Sequence, residues 1–421
     1  MLANGTQKVL IVGDDWGPAV TKTIIELDQT VSADSIINKE NEFTVTETKE
    51  SFDYQTRALK HPITSSERTI LAVYASDESG NEVRTASKHI AIELYASPTE
   101  GSPFIFDLNT LFNSWCIPYQ LDVRLNGTLE TVDGQTIDAL NIEKEIDVAG
   151  EGKICPQVAK FNNAAYLAKD GRTYAYGEYV PAKDDHSHPL VIWLHGVGEG
   201  GKDPEIAYLG NKVTALTEAD FQKRFGGAYI LVPQCPTAWM DAGSGDWEHW
   251  THGEKPSIYT EGLFDLIDAY VQGNPAIDPK RIIVGGCSNG GFMTMELVFN
   301  HPDYFAAAYP VCQGYDNAFV SDEMIASIKD LPIWFTYSTL DQPLSDTYSV
   351  PLIKRLKELK SGNLHVSIFD KVTDLTDRFK DENGDSYAYN AHWSWIRFFN
   401  NQCVDENGIN EWDWLAEQSA K

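Results

Sequence analysis

The sequence is short of positive charge: Lys and Arg number 33 against 62 Asp and Glu, which leaves 421 residues with a formal net charge of −29. A polyanion would be repelled over most of such a surface, and this excludes nucleic-acid binding or adhesion to anionic membranes as the main task. Long apolar runs are missing as well. No window approaches the roughly 18 uninterrupted apolar residues of a membrane helix, and the opening MLANGTQKVLIVGDD has neither the basic nor the apolar stretch of a secretory leader. Acidity of this order fits an extracellular bacterial enzyme expressed without its leader, with a cytoplasmic location as the competitor. The six cysteines, Cys116, Cys155, Cys235, Cys287, Cys312 and Cys403, are scattered and form no C-x-x-C pair, so neither a disulfide-framed fold nor zinc or redox chemistry is expected. Buried or unpaired thiols are the expectation, with a single bridge such as Cys116 to Cys155 left open.

What is present is core-forming material, 42% hydrophobic residues, in a length that suggests two or three domains. From Lys8 to about Ser97 short alternating runs separated by Gly, Asp, Asn and Ser predict a small all-β sandwich, assigned to residues 1–97. Its clearest part is a hairpin between Thr69 and Leu94 around Asp77-Glu78-Ser79-Gly80-Asn81. The Pro, Gly and Ser of SPTEGSP mark a boundary there, and residues 98–160 read as a partly β bridging segment. In it, FIFDLNTLFNSW fits an extended strap or a short helix. From 161 to 421 continuous apolar runs alternate with helical periodicity, the pattern of strands buried on both faces of a parallel sheet. Eight candidate strands follow in order: AAYLA, TYAYGEYV, PLVIWLHG, AYILVPQ, RIIVGG, AAAYPVCQ, PIWFTYS and LHVSIFD. The segment TEGLFDLIDAYVQGNP predicts a crossover helix with Leu263, Ile267 and Tyr270 or Val271 on one face, Thr260 as N-cap and Gly273 as its stop.

Gly286-Cys287-Ser288-Asn289-Gly290 matches G-x-S-x-G, directly after a buried strand and before a helix with Phe292, Met295 and Phe299 at helical spacing. A nucleophile on such a turn needs side chains as small as glycine two positions to either side, which Gly286 and Gly290 supply, and Gly291 lets the helix approach the sheet. Ser288 is the candidate nucleophile; Cys287 should point into the sheet. Serine needs a base and the base an orienting acid. Asp341, just past PIWFTYS on the edge where ligands bind, is the candidate acid, with Asp346 as alternative. Of the ten histidines, those before Ser288 stand in the wrong chain order for this topology, His301 ends the helix after the elbow and His365 lies inside a strand. His392, after the last strand and at the opening of a final amphipathic helix, is the candidate base. An oxyanion hole would take the N–H of Asn289 and that of Gly196 or Val197 in the Gly-rich turn HGVGEGG.

With HGVGEGG, GGCSNGG, Asp341 and His392 in this order, the region from about 160 to 405 resembles the α/β-hydrolase superfamily. More narrowly it is similar to polyhydroxybutyrate-depolymerase-like and prolyl-oligopeptidase-like hydrolases, some bacterial members of which carry an N-terminal immunoglobulin-like module. The resemblance implies a mostly parallel eight-stranded sheet flanked by helices and preceded by the β-sandwich, and hydrolysis through an acyl-enzyme on Ser288. Too little β structure precedes the hydrolase region for the propeller of true prolyl oligopeptidases, which favours an esterase over a peptidase.

Between AYILVPQ and the crossover helix, a long segment carries Trp239, Met240, Trp247, Trp250 and Tyr259, and Trp393 and Trp395 flank the proposed base. Trp239, Trp247, Trp250 and Trp393 are the candidate substrate contacts, suited to aryl, feruloyl-type or short-chain acyl esters or a polyester. His249 and His252 near Asp246 and Glu248 lack ligand spacing, and Asp381, Asn383 and Asp385 lack the glycine of a calcium loop, so neither metal nor cofactor is expected. The rivals to an esterase are a serine peptidase with the same triad and a non-catalytic binding protein on a hydrolase scaffold.

Overall fold

The computed structural model describes residues 1–52, 62–245, 247–342 and 344–419. They fall into two compact units, Met1–Ala159 and Lys160–Lys421. The first is all β. Strands β1 (Leu2–Asp14), β2 (Gly17–Val31), β3 (Phe43–Glu50), β4 (Ile63–Arg68), β5 (Ile70–Ser76) and β6 (Ser87–Leu94) come from the stretch expected to form the sandwich. The expected hairpin is β5 against β6, antiparallel. Its loop is pinned by Asp77, whose Oδ1 accepts from the N–H groups of Ser79 and Asn81, and Gly80 takes a φ of 80° that the turn requires.

The segment expected to bridge is instead woven into this unit. It supplies β7 (Phe104–Asp107), β8 (Phe112–Trp115), β9 (Tyr119–Leu125), β10 (Leu129–Glu130), β11 (Thr136–Ile137), β12 (Ala139–Ile142) and β13 (Lys153–Ile154). Strand β9 completes the sheet β4-β3-β9, and β12 and β13 add in parallel to β1 at the edge of the sheet β12-β1-β2-β6-β5. A free edge would leave backbone donors and acceptors unpaired, and these strands cover it. They also bury Tyr119, Leu121 and Val123. FIFDLNTLFNSW is therefore a hairpin, β7 with β8, and the Pro–Gly punctuation near residue 100 marks an internal turn rather than a boundary. Buried Arg68 organises the interior: its guanidinium bonds the Glu47 carboxylate at 2.8 Å and the carbonyls of Val20 and Tyr95, and the Tyr119 hydroxyl donates to Glu47 at 2.5 Å. A buried charge is tolerated when its bonding capacity is met in this way.

In the second unit the described residues form one eight-stranded sheet, with β14 (Asn162–Leu167), β15 (Thr173–Tyr179), β16 (His188–Leu194), β17 (Tyr229–Gln234), β18 (Ile277–Cys287), β19 (Ala307–Val311), β20 (Ile333–Ser338) and β21 (Leu364–Phe369). Each coincides with one of the apolar runs read from the sequence. The order is β14-β15-β17-β16-β18-β19-β20-β21, antiparallel across β14, β15 and β17 and parallel beyond. Strands β16, β17, β19 and β20 are buried at every position, as a doubly covered sheet demands, whereas the edge strand β14 is largely exposed.

Around this sheet lie α1 (Pro204–Leu209), α2 (Ala219–Phe225), α3 (Thr260–Gly273), α4 (Asn289–Asn300), α5 (Asp322–Ser327), α6 (Val350–Glu358), α7 (Trp395–Phe399) and α8 (Glu411–Gln418). Helix α3 buries Leu263, Leu266, Ile267 and Tyr270, and Tyr259 rather than Thr260 precedes its first turn. The Thr260 hydroxyl instead donates to Ser257 O and to Glu296 Oε1. Helix α4 is buried on all sides save Asn300, and full burial of a side chain such as Phe292 or Met295 contributes about 1.5–3 kcal/mol. The helix expected to be amphipathic after His392 is α7, short and buried throughout, because the chain turns again and lays α8 beyond it. The acidic stretch at Asp381 is a turn held by its own carboxylate, which accepts from the N–H groups of Asn383 and Asp385. No helix among the described residues is long and apolar enough to cross a membrane.

Candidate active site

Strand β18 ends at Cys287 and α4 begins at Asn289, so the whole reversal falls on Ser288, with φ 54° and ψ −113°. A non-glycine residue there carries strain of about 1–3 kcal/mol, which the surroundings must hold in place. They do so sterically. A Cβ on Gly286 would lie 2.4 Å, and one on Gly290 2.0 Å, from the Leu194 carbonyl oxygen at the end of β16. A Cβ on Gly291 would come within 2.8 Å of Gln313 Cα. The Ser288 N–H donates to Val311 O at 3.0 Å, tying the elbow to β19. Cys287, the neighbouring thiol, points inward against Asn211, and burial pushes its pKa well up. Cys116, Cys235, Cys312 and Cys403 are likewise buried, unpaired thiols.

Past the end of β20 the chain buries Asp341, whose Oδ2 lies 2.8 Å from His392 Nδ1. A carboxylate accepts, so Nδ1 carries the proton and Nε2 is left as the basic nitrogen. The His392 backbone N–H donates to Asn390 Oδ1 at 2.9 Å, and its ring stands edge-on to Trp395 at 5.7 Å. Asp346 is exposed five residues on. His301 lies flat on Phe264, and His365 in β21 bonds Asp405. Ser288 and His392 line one cavity of about 140 Å³ together with Val197 and Asn289.

The Gly-rich turn after β16 is organised by His195. This histidine is fully buried, and burial lowers its pKa to about 4, so the ring is neutral. Its Nε2 accepts from the Cys235 N–H at 2.9 Å, which puts the proton on Nδ1, 2.5 Å from Gly196 O. In a trans peptide the C=O and the next N–H point opposite ways, so this bond turns the Val197 N–H away from His195. Of the two residues expected to supply a donor, Val197 lines the cavity and Gly196 does not, its N–H being directed to the Cys287 sulfur. Asn289 has a role that its position alone did not suggest: its side-chain oxygen accepts from the Trp239 N–H at 2.6 Å, anchoring the loop beside the site.

The aromatic candidates separate. Trp250 lines the cavity. Trp239 is fully buried, packed against His195 and Tyr259. Trp393 packs with Tyr389 and Trp395 outside the cavity wall. The Trp247 side chain and Asp246 lie outside the described residues. The wall is completed by Met240, His252, Cys312, Gly314, Leu344 and Tyr348. Of these, Cys312 and Gly314 follow the C-terminal end of β19, where ligand contacts concentrate, and that rule could have flagged them from sequence.

Residues 7–138 match the esterase Ig-like N-terminal domain, and residues 238–347 match the prolyl oligopeptidase family. A crystal structure of a thermostable esterase superposes with a TM-score of 0.70 at 24% identity, covering 95% of this chain and 96% of that one. A ferulic acid esterase covers 50% of this chain and 90% of its own at 13% identity, with a TM-score of 0.38. In sequence, poly(3-hydroxyalkanoate) depolymerase C of Paucimonas lemoignei is 27% identical over 148 residues, 32% of this chain. The chain spans only 30% of that protein's length. The second unit thus has the α/β-hydrolase fold, and it follows a domain that matches the esterase Ig-like N-terminal domain.

Proposed function

We propose that this chain is a serine carboxylesterase in which Ser288 is the nucleophile, His392 the general base and Asp341 the group that orients it. The observation that carries the reading is the 2.8 Å bond from His392 Nδ1 to Asp341, with His392 and the strained Ser288 in the wall of one cavity. In the first half-reaction Ser288 Oγ attacks the ester carbonyl carbon while His392 Nε2 takes its proton. The tetrahedral oxyanion is stabilised by the N–H groups of Asn289 and Val197. As the C–O bond breaks, His392 returns the proton to the departing alcohol and leaves an acyl-Ser288. Water, deprotonated by the same nitrogen, releases the acid. A cavity of about 140 Å³ is comparable to the roughly 150 Å³ that holds a benzene ring, which supports short-chain acyl or single-ring aryl esters, a polyester being attacked one unit at a time. The likeness to a polyhydroxyalkanoate depolymerase supports the polyester branch, and the net charge of −29 supports a secreted enzyme. Wild-type protein should turn over p-nitrophenyl acetate and butyrate, and Ser288→Ala should lower kcat by about 10⁴-fold or more. Activity in that variant close to wild type would refute the reading.

A serine peptidase is the second reading, favoured by the match of residues 238–347 to the prolyl oligopeptidase family. Peptide p-nitroanilides assayed beside the esters separate the two, since a peptidase would cleave the anilides with the larger kcat/KM.

A further inference from the structure

We propose that His252 is a specificity-determining residue that reads a hydroxyl group on the substrate portion seated in the cavity. The inference rests on the esterase reading and names its substrate class: esters whose acyl group is short and hydroxylated. Most of the cavity wall away from Ser288 and His392 is apolar, formed by Val197, Met240, Trp250, Leu344 and Tyr348. His252 adds an imidazole to this wall.

Its tautomer follows from its partner. Nδ1 lies 3.1 Å from Gly314 O, and a carbonyl oxygen can only accept, so Nδ1 holds the proton. In the neutral ring Nε2 is then an acceptor. A hydroxyl donor satisfies an acceptor at this nitrogen, whereas a methylene at the same place leaves it unpaired, and unpaired polar groups in a closed site are the strongest source of discrimination between close analogues.

The ring is held in place, as a reading group must be. It lies nearly parallel to Tyr348, 5.4 Å between centroids and 20° between planes. The His252 N–H donates to Glu254 Oε2 at 2.8 Å, and its carbonyl accepts from the Asp316 N–H at 2.8 Å. The next residue, Gly253, has φ 120°, and a Cβ there would come within 2.4 Å of the Tyr315 ring. Three segments far apart in sequence, around residues 252, 315 and 348, therefore converge to fix one imidazole in the wall. With about 140 Å³ available, a four-carbon acyl chain bearing one hydroxyl fits beside it.

The test compares the 3-hydroxybutyryl and butyryl esters of one alcohol, assayed with wild type, His252→Phe and His252→Gln. Phe keeps a flat ring against Tyr348 and removes the acceptor; Gln restores a hydrogen-bonding group. Wild type should favour the hydroxylated ester in kcat/KM. That ratio should fall by about 10- to 100-fold in His252→Phe, the worth of one buried hydrogen bond, and recover at least in part in His252→Gln. A ratio that stays put while both esters slow equally would make His252 structural and overturn the proposal, as would a wild-type ratio near one. Turnover of neither ester by folded wild type would remove the esterase reading itself, and this inference with it.

Discussion

Two of the histidine–aspartate pairs in the second unit, His392–Asp341 at 2.8 Å and His365–Asp405 at 2.9 Å, are nearly identical in length and are not equivalent. In the second pair the other ring nitrogen, Nε2, is already committed to Asn363 Oδ1 at 3.2 Å, and the ring is stacked on Trp334 at 5.0 Å and 9°. Every valence of His365 is used to hold β21 and the loop before α8 together. His392 spends Nδ1 on its carboxylate and sits in a cavity wall beside a serine held in a strained turn. A histidine–carboxylate bond alone is thus structural glue; chemistry requires that the far nitrogen face an open space holding a nucleophile.

Replacing each aspartate by asparagine breaks the comparison most directly. Asp341→Asn should lower kcat on a p-nitrophenyl ester by about 10⁴-fold, because the amide no longer enforces the tautomer with its proton on Nδ1. Asp405→Asn should leave kcat within a factor of about two, since sites without shared partners act independently. Equal effects on kcat from the two variants would erase the distinction.

The smaller effect is on stability and runs the other way. Burial pushes the Asp405 carboxyl up, but the bond from His365 and those from the Ile409 and Asn407 N–H groups outweigh it and hold the pKa below the usual carboxylate value. A carboxylate depressed in the folded state stabilises above its unfolded pKa, about 3.9, and loses that contribution as pH falls through the folded value. Asp405→Asn should therefore cost about 1–3 kcal/mol at neutral pH, read as a lower denaturant midpoint, and the gap to wild type should close below about pH 4. A gap that persists unchanged in acid would mean that the carboxylate charge is not its source.

The second unit's strands and the glycine pattern of the proposed elbow were legible in the sequence for a physical reason. Buried parallel strands announce themselves as unbroken apolar runs, and the elbow needs glycines at Gly286 and Gly290 that leave a readable pattern. Chain order then set His392 apart from His365, two residues that local composition does not distinguish. What stayed hidden depends on contacts between distant segments. Nothing near residue 140 says that β12 will pair with β1, and punctuation at residue 100 looks the same in an internal turn as at a boundary. Trp239 and Trp250 are alike as letters, yet Trp239 packs against His195 and Tyr259 in the core while Trp250 lines the cavity. His252 was hidden for the same cause, because Gly314 and Tyr348 fix its ring from 62 and 96 positions away in the chain.

The central claim is that Ser288 is a nucleophile made reactive by its elbow and by the His392–Asp341 pair. Reaction of the folded protein with a fluorophosphonate, followed by peptide mass mapping, measures this without knowledge of the substrate. The account predicts one adduct, on Ser288, retained in Asp405→Asn and lost in His392→Ala. A folded protein that takes no label, or takes it on another residue, would contradict it.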